Sequence, residues 1–209
     1  VYSVPVSSLP GGRGDGQPVT TLIELEPGTT LAHYFAGAPS AMLLLSTSAG
    51  YGFLATVENM TSRQKGGKAF ITCNQDDVVC MPSPVNVALP IYPGMVPSVA
   101  STTASTSLST AATPAATHVA CASTGGRILT FELSELKPMA NGGRGLMLMD
   151  LEDKDTLAGA AAYTRTVCLL GVGRGGKARD ETLEIRSLNN ARGPRARKGK
   201  MADLGFKPT

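Results

Sequence analysis

"STSAGYGFLATVENMTSRQKGGKAF", residues 46–70, runs from hydrophobic alternation through a glycine turn into more alternation and then a glycine-basic loop. Residues 122–146, "ASTGGRILTFELSELKPMANGGRGL", repeat it without a gap at an offset of 76 residues. Gly50 matches Gly126, Met60 matches Leu136, and Gly66-Gly67-Lys68 matches Gly142-Gly143-Arg144. Self-similarity of this kind marks a repeat architecture. Looser copies are "TVCLLGVGRGGKARDETLEIRSLNNARGPRARKGKM" (166–201) and "VYSVPVSSLPGGRGDGQPVTTLIEL" (1–25). Taking the apolar residue before each loop as a register mark (Leu9, Met60, Leu136, Leu188), the spacings are 51, 76 and 52 residues. The period is therefore near the shorter value, and the long spacing needs an insertion.

The insertion is visible in the composition. No charged residue occurs from Val85 to Thr117, and "SVASTTASTSLSTAATPAAT" (98–117) is Ser/Thr/Ala/Pro low complexity. Such a stretch is too poor in bulky apolar groups to offset its ordering entropy, so 85–117 is expected to be an inserted loop.

Within one period the order is a strand (41–48), a glycine turn, a strand (53–60), the glycine-basic loop (61–68), a strand ("AFITC", 69–73) and a weaker fourth ("VVCM", 78–81). Four strands in about fifty residues make a propeller-like blade. The third copy repeats the order as 118–123, 127–136, 146–151 and 156–162, and "ILTFELSEL" alternates as a half-buried strand does. The fold class expected is all-β, propeller-like, with four-stranded blades in a single domain over 1–209. The first blade is incomplete, which reads as a chain that starts inside a blade of a longer protein.

Composition agrees. The 209 residues hold 24 Gly and 14 Pro, no Trp and only 17% charge, which favours short strands and turns over long charged helices. No apolar run reaches bilayer length. Cys73, Cys80, Cys121 and Cys168 show no Cys-x-x-Cys pairing and read as buried thiols of a reducing cytoplasm, and His33 and His118 have no ligand-spaced neighbours, so no metal is expected.

Three local patterns suggest enzymatic chemistry and fail on their context. "GVGRGGKA" (171–178) fits the start of a phosphate-binding loop, but Ala178 stands where Ser or Thr would ligate magnesium, and "ETLEIRSL" alternates as a strand where a helix should begin. Tyr163 beside Arg165 lacks a base and reads as a packing residue. "DLEDKD" (150–155) lacks the glycine and ligand order of a calcium loop and reads as a solvated connection.

What recurs is the loop. Its candidate phosphate contacts are Arg13 in the first copy; Arg63, Gln64, Lys65 and Lys68 in the second; Arg127, Lys137 and Arg144 in the third; and Arg174, Lys177, Arg192, Arg195, Arg197, Lys198 and Lys200 in the last. Glycines let the backbone approach a surface, and long cations reach phosphate oxygens. Spaced around a disc, such loops lay a basic track along its rim that can bend duplex DNA without reading bases. Arg13-Gly14-Asp15 is then the weakest copy of this loop, and its likeness to an adhesion tripeptide is a coincidence. Net charge is only +3, but the last 36 residues carry ten Lys/Arg against four Asp/Glu. The 63–68 loop, flanked by clear strands, is expected to be the better positioned and the 192–200 loop the more mobile.

The segments "LPGGRGDGQPVT", "AGYGFLATVENMTSRQKGGKAFIT" and "GGRILTFELSELKPMANGGRG" resemble the C-terminal domain of the A subunit of bacterial DNA topoisomerase IV, close kin of the gyrase A C-terminal domain. The resemblance implies a β-pinwheel that binds double-stranded DNA around its rim. It also implies a cytoplasmic, nucleoid-associated parent enzyme that passes one duplex through another, using magnesium, with ATP hydrolysed on the partner B subunit. No cofactor is expected in this chain itself. The gyrase box of glutamine, two arginines, two glycines, lysine and glycine is matched only loosely by Arg63-Gln64-Lys65-Gly66-Gly67-Lys68-Ala69, which argues against chiral wrapping of the gyrase kind. The family's cleavage tyrosine lies in an upstream region, so Tyr163 inherits no role. An alternative expectation is a propeller-like scaffold whose rim loops bind a chromosome-organising protein.

Overall fold

Alternating apolar residues on either side of a glycine turn demand a hairpin with one buried face, and the computed structural model places one at each expected position. Residues 1–85 and 116–209 are described; nearly all of the expected inserted loop at 85–117 lies outside them. The strands are β1 (Met42–Ser46), β2 (Tyr51–Thr56), β3 (Ser83–Pro84), β4 (His118–Ser123), β5 (Arg127–Glu132), β6 (Leu146–Met147), β7 (Leu157–Tyr163), β8 (Thr166–Gly173), β9 (Ala178–Glu184), β10 (Lys200–Met201) and β11 (Phe206–Pro208). Two short helices, α1 (Val57–Met60) and α2 (Ile185–Asn190), follow β2 and β9. The architecture is all-β. Its hairpins are β1–β2, β4–β5 and β8–β9, in register from Met42↔Thr56 to Ser46↔Gly52, His118↔Glu132 to Ala122↔Ile128, and Thr166↔Glu184 to Val172↔Ala178.

Among the described residues these strands form three antiparallel sheets, ordered β3-β1-β2-β6, β7-β4-β5-β10 and β11-β8-β9. Their composition corrects the expected blade in one respect. The strand beside β2 comes from the next repeat, as Gly52 pairs with Leu146, and the strand beside β5 comes from the repeat after that, as Ile128 pairs with Lys200. The segment 69–73, expected as a strand of its own blade, makes only an isolated parallel bridge from Ile71 to Gly143. Each repeat thus hands its post-loop strand to the preceding blade. The third sheet has three strands among the described residues.

The same contacts correct the register. Leu54 bridges Pro138 and Thr130 bridges Arg192, so the last two loops are 54 residues apart and not 52. The two extra residues lie in α2, which turns where "EIRSL" was expected to continue as a strand.

Successive sheets face one another. Leu44, Leu54 and Leu148 of the first meet Val119, Cys121, Leu129 and Phe131 of the second, all buried. Ala120, Ile128 and Tyr163 of the second meet Leu183, Leu188 and Leu204, with Val167 and Leu169 packed against them. The remaining face of the first sheet, Leu43, Leu45, Phe53 and Ala55, is buried beneath Met60 and Phe70, whose ring lies 5.8 Å from that of Phe53. Each such large apolar side chain contributes about 1.5–3 kcal/mol on burial. Cys80 and Cys121 are buried, as expected, and burial pushes both thiols up; Cys73 is half-buried and Cys168 exposed.

Candidate nucleic-acid interface

The loops are hung on the sheets by equivalent backbone bonds. Met139 donates to the Leu54 carbonyl at 2.8 Å, and Gly193 donates to the Thr130 carbonyl at 3.0 Å. Further along, Gly143 donates to Phe70 at 2.8 Å and Ala196 to Leu148 at 2.9 Å, so each loop is bound to the post-loop segment of the loop before it. The first described blade position repeats the scheme: Ser62 donates to the Ser3 hydroxyl at 2.9 Å, and Lys68 and Val1 exchange backbone bonds at 2.8 Å. Three loops, 61–68, 137–144 and 191–199, are therefore each hydrogen-bonded to a segment that precedes them in the chain.

Glycine is required where the chain turns back onto the preceding blade. Gly145 (φ +82°) and Gly199 (φ +71°) precede β6 and β10, and a Cβ there would lie 2.4 Å from the Gly52 carbonyl and 2.5 Å from the Ile128 carbonyl. Those distances leave no room for any side chain.

The candidate cations are in three kinds of place. Arg13, Arg63, Lys65, Lys137, Arg197 and Lys200 stand on the loops or at their ends, and no bond or ion pair of their side chains is seen among the described residues. Gln64 shares the 61–68 loop, its backbone amide held by the Ser62 hydroxyl at 3.1 Å. A second group is braced. Lys68 donates to the Asn59 carbonyl at 3.0 Å and lies 5.2 Å from the Phe70 ring centroid, while the Arg144 guanidinium stacks 4.2 Å from Tyr51. Arg192 pairs with Glu132, and Glu152 takes both Arg127 at 2.9 Å and Lys198 at 3.9 Å. Such exposed pairs are worth about 0–1 kcal/mol, so phosphate can displace the carboxylate.

The third group stands apart. Arg195 donates to the Met147 carbonyl of β6, 48 residues away, and its Nε is buried, so it fastens two repeats together. Arg174 and Lys177 lie at the β8–β9 hairpin turn, away from the loop edge, in the position that Gly50 and Gly126 occupy in the other blades. That turn leads into β9 and not into a helix, so the phosphate-binding-loop geometry is absent here. The 192–200 loop, expected to be the more mobile, makes contacts with Glu132, Glu135, Glu152 and Met147.

Sequence reading missed the carboxylates. "DLEDKD" is no mere solvated connection: Asp155 accepts from the Thr124 hydroxyl at 2.8 Å, the Gly125 amide at 2.7 Å and the Thr156 amide at 2.9 Å, closing the β4–β5 turn. Burial alone would raise its pKa, but these bonds and the Ser123 hydroxyl outweigh burial and hold it below the usual carboxylate value. Tyr163 is buried against His118, ring centroids 5.6 Å apart, and burial raises its pKa. Among the described residues no cluster of three or more His, Cys, Asp or Glu could hold a metal, and no helix is long and apolar enough to cross a membrane.

Propeller-like sheets that hand strands backward, with glycine-basic loops along the outer edge, define a β-pinwheel. Residues 117–163 match the family model described as DNA gyrase C-terminal domain, beta-propeller. The DNA topoisomerase 4 A subunit of Neisseria gonorrhoeae is 31% identical over 197 residues, 94% of this chain and 23% of that protein. The Pseudomonas aeruginosa protein of the same name is 25% identical over 98% of this chain and 24% of its own length, so the chain spans about a quarter of these relatives. The solved Escherichia coli ParC C-terminal domain superposes with a TM-score of 0.74 at 23% identity, over all of this chain and 74% of that one. A DNA gyrase A C-terminal domain gives 0.61 at 18% identity, over 92% and 56%. The chain belongs to the family of C-terminal domains shared by the topoisomerase IV A subunit and gyrase A.

Proposed function

We propose that this chain binds duplex DNA along its outer blade edges, contacting phosphates through the glycine-basic loops and bending the duplex without reading its bases. The observation that supports this is the stitching of consecutive loops to one another, Phe70 to Gly143 and Leu148 to Ala196, which links glycine-basic loops of successive repeats in series. Phosphates supply affinity and position, while a bend is favoured when successive contacts lie on a curved surface. Within this reading Arg63, Lys65, Lys137, Arg197 and Lys200 are the first contacts, and Arg13 extends the track. Arg192, Lys198 and Arg127 join when phosphate displaces Glu132 and Glu152. Lys68 and Arg144 hold the loop ends.

The domain then serves a type IIA topoisomerase, as the part of the topoisomerase IV A subunit that directs DNA segments to a strand-passage core for decatenation and supercoil relaxation. Strand cleavage, magnesium, ATP hydrolysis and the B subunit belong to other parts of that parent enzyme, which works on the nucleoid in the cytoplasm. The test is fluorescence anisotropy with two duplexes of unrelated sequence over a salt series. Affinities should agree between the duplexes and fall steeply with salt, the log–log slope being about −0.9 per phosphate neutralised. A salt-independent affinity would favour rim loops that bind a chromosome-organising protein instead.

A further inference from the structure

The basic loops leave another part of the surface with the opposite sign. There is no Lys or Arg between Gly14 and Ser62, nor between Ala69 and Gly126; those stretches carry Asp15, Glu24, Glu26, Glu58, Asp76 and Asp77. Two segments from these stretches meet at the edge of the first sheet. Residues 78–81 run beside the end of β1, through the Thr47↔Val79 bridge and a 2.8 Å bond from the Ser48 amide to the Val78 carbonyl. On their far side the His33 ring Nε2 donates to the Val79 carbonyl at 2.9 Å, which ties 31–35 alongside.

The junction exposes large apolar side chains. Tyr34 is 75% exposed, Met81 72% and Val78 62%, and the Phe35 ring, turned back against Gly37, is partly open as well. Single exposed apolar residues are ordinary, but four brought to one junction by a defined hydrogen bond are not. Tyr and Met are also side chains enriched at protein interfaces, the one for its rigid area and the other for its adaptability. Asp76 and Asp77 lie on the turn that leads into Val78, Asp77 accepting from the Asn74 amide at 2.8 Å.

We propose that Tyr34, Val78 and Met81 form a docking surface for a protein segment presenting apolar side chains between Lys or Arg residues. The charge selects the occupant. DNA and anionic lipid are repelled by Asp76 and Asp77, whereas cations flanking an apolar anchor find carboxylates beside an apolar floor. This surface is distinct from the loop edge, so one molecule can hold DNA and a protein partner at once, and the inference goes beyond the DNA-binding reading.

The experiment follows the methyl signals of Val78 and Met81 by NMR in the whole chain during titration with synthetic Lys/Leu and Glu/Leu peptides of equal length and with duplex DNA. The Lys/Leu peptide should shift both signals saturably. The Tyr34→Ser/Met81→Ser variant, altered only at exposed positions, should bind that peptide at least tenfold more weakly by anisotropy, and Asp76→Asn/Asp77→Asn at least threefold more weakly. The salt slope of either variant for DNA should match the parent's. Absence of saturable shifts, equal shifts with the Glu/Leu peptide, or shifts with DNA at these methyls would each overturn the proposal. DNA-binding results leave it standing or falling on its own, because neither variant touches a loop cation.

Discussion

Replacing Gly145 by alanine should unfasten one blade from the next. The position has φ +82°, and the new Cβ would lie 2.4 Å from the Gly52 carbonyl. A left-handed conformation costs an alanine about 1–2 kcal/mol. The contact must also open by roughly 1 Å to become ordinary, which separates the pairs Gly52↔Leu146 and Tyr51↔Met147 that hold β6 on β2. Two backbone pairs at about 1 kcal/mol each bring the expected cost to about 3–4 kcal/mol. In a domain of this size that lowers Tm by roughly 10 °C. Two comparison variants separate the causes. Gly175 has φ +83° but open space around it, so Gly175→Ala reports conformational strain alone at about 1–2 kcal/mol. Gly66 has neither a positive φ nor a neighbour within 4 Å, and Gly66→Ala should stay within about 0.5 kcal/mol. Urea unfolding measures all three, and hydrogen exchange at Leu146 and Met147 should accelerate selectively in Gly145→Ala. If Gly145→Ala costs no more than Gly175→Ala, the strand handover is not what the backbone at β6 has to accommodate.

Three further outcomes are expected. Arg195→Ala should destabilise the chain by about 1–3 kcal/mol through the orphaned Met147 carbonyl, and leave the salt slope of DNA binding unchanged, whereas Arg63→Ala should flatten that slope by about 0.9. Asp155 has a depressed folded pKa, so its stabilisation is complete above the ordinary carboxylate range and is lost as pH falls through the folded value; Asp155→Asn should remove that part of the acid dependence in thermal melts. Isothermal titration of the chain with ATP should show no saturable binding, and Lys177→Ala should change nothing, since the turn it occupies joins two strands.

The hairpins were legible in the sequence because both of their determinants are local: side chains alternate with period two, and a glycine at positive φ closes each turn, as at Gly50 and Gly126. The strand handover was not. Leu146–Met147 and Lys200–Met201 are two residues long, too short to show a period, and their partners are chosen by how closely Gly145 and Gly199 approach a carbonyl. Helix α2 was hidden for a similar reason, since Glu184 caps it without a side-chain bond and the spacing of Leu183 and Ile185 reads as a continuation of the preceding strand. At the candidate site the loops could be found from composition, while the state of each cation could not. Arg192 meets Glu132 from 60 residues away and Arg195 meets Met147 from 48, separations at which only the fold decides whether an arginine faces solvent or its own backbone.

The central claim is that consecutive loops make one DNA-bending track, and fluorescence energy transfer between the ends of a bound duplex tests it most directly. Binding should bring the ends closer than in free duplex. Arg63→Ala/Lys65→Ala and Arg197→Ala/Lys200→Ala should each reduce both the transfer and the affinity, because both loops are hydrogen-bonded to a neighbouring segment of the fold. Energy transfer in the bound duplex equal to that of free duplex would contradict the account.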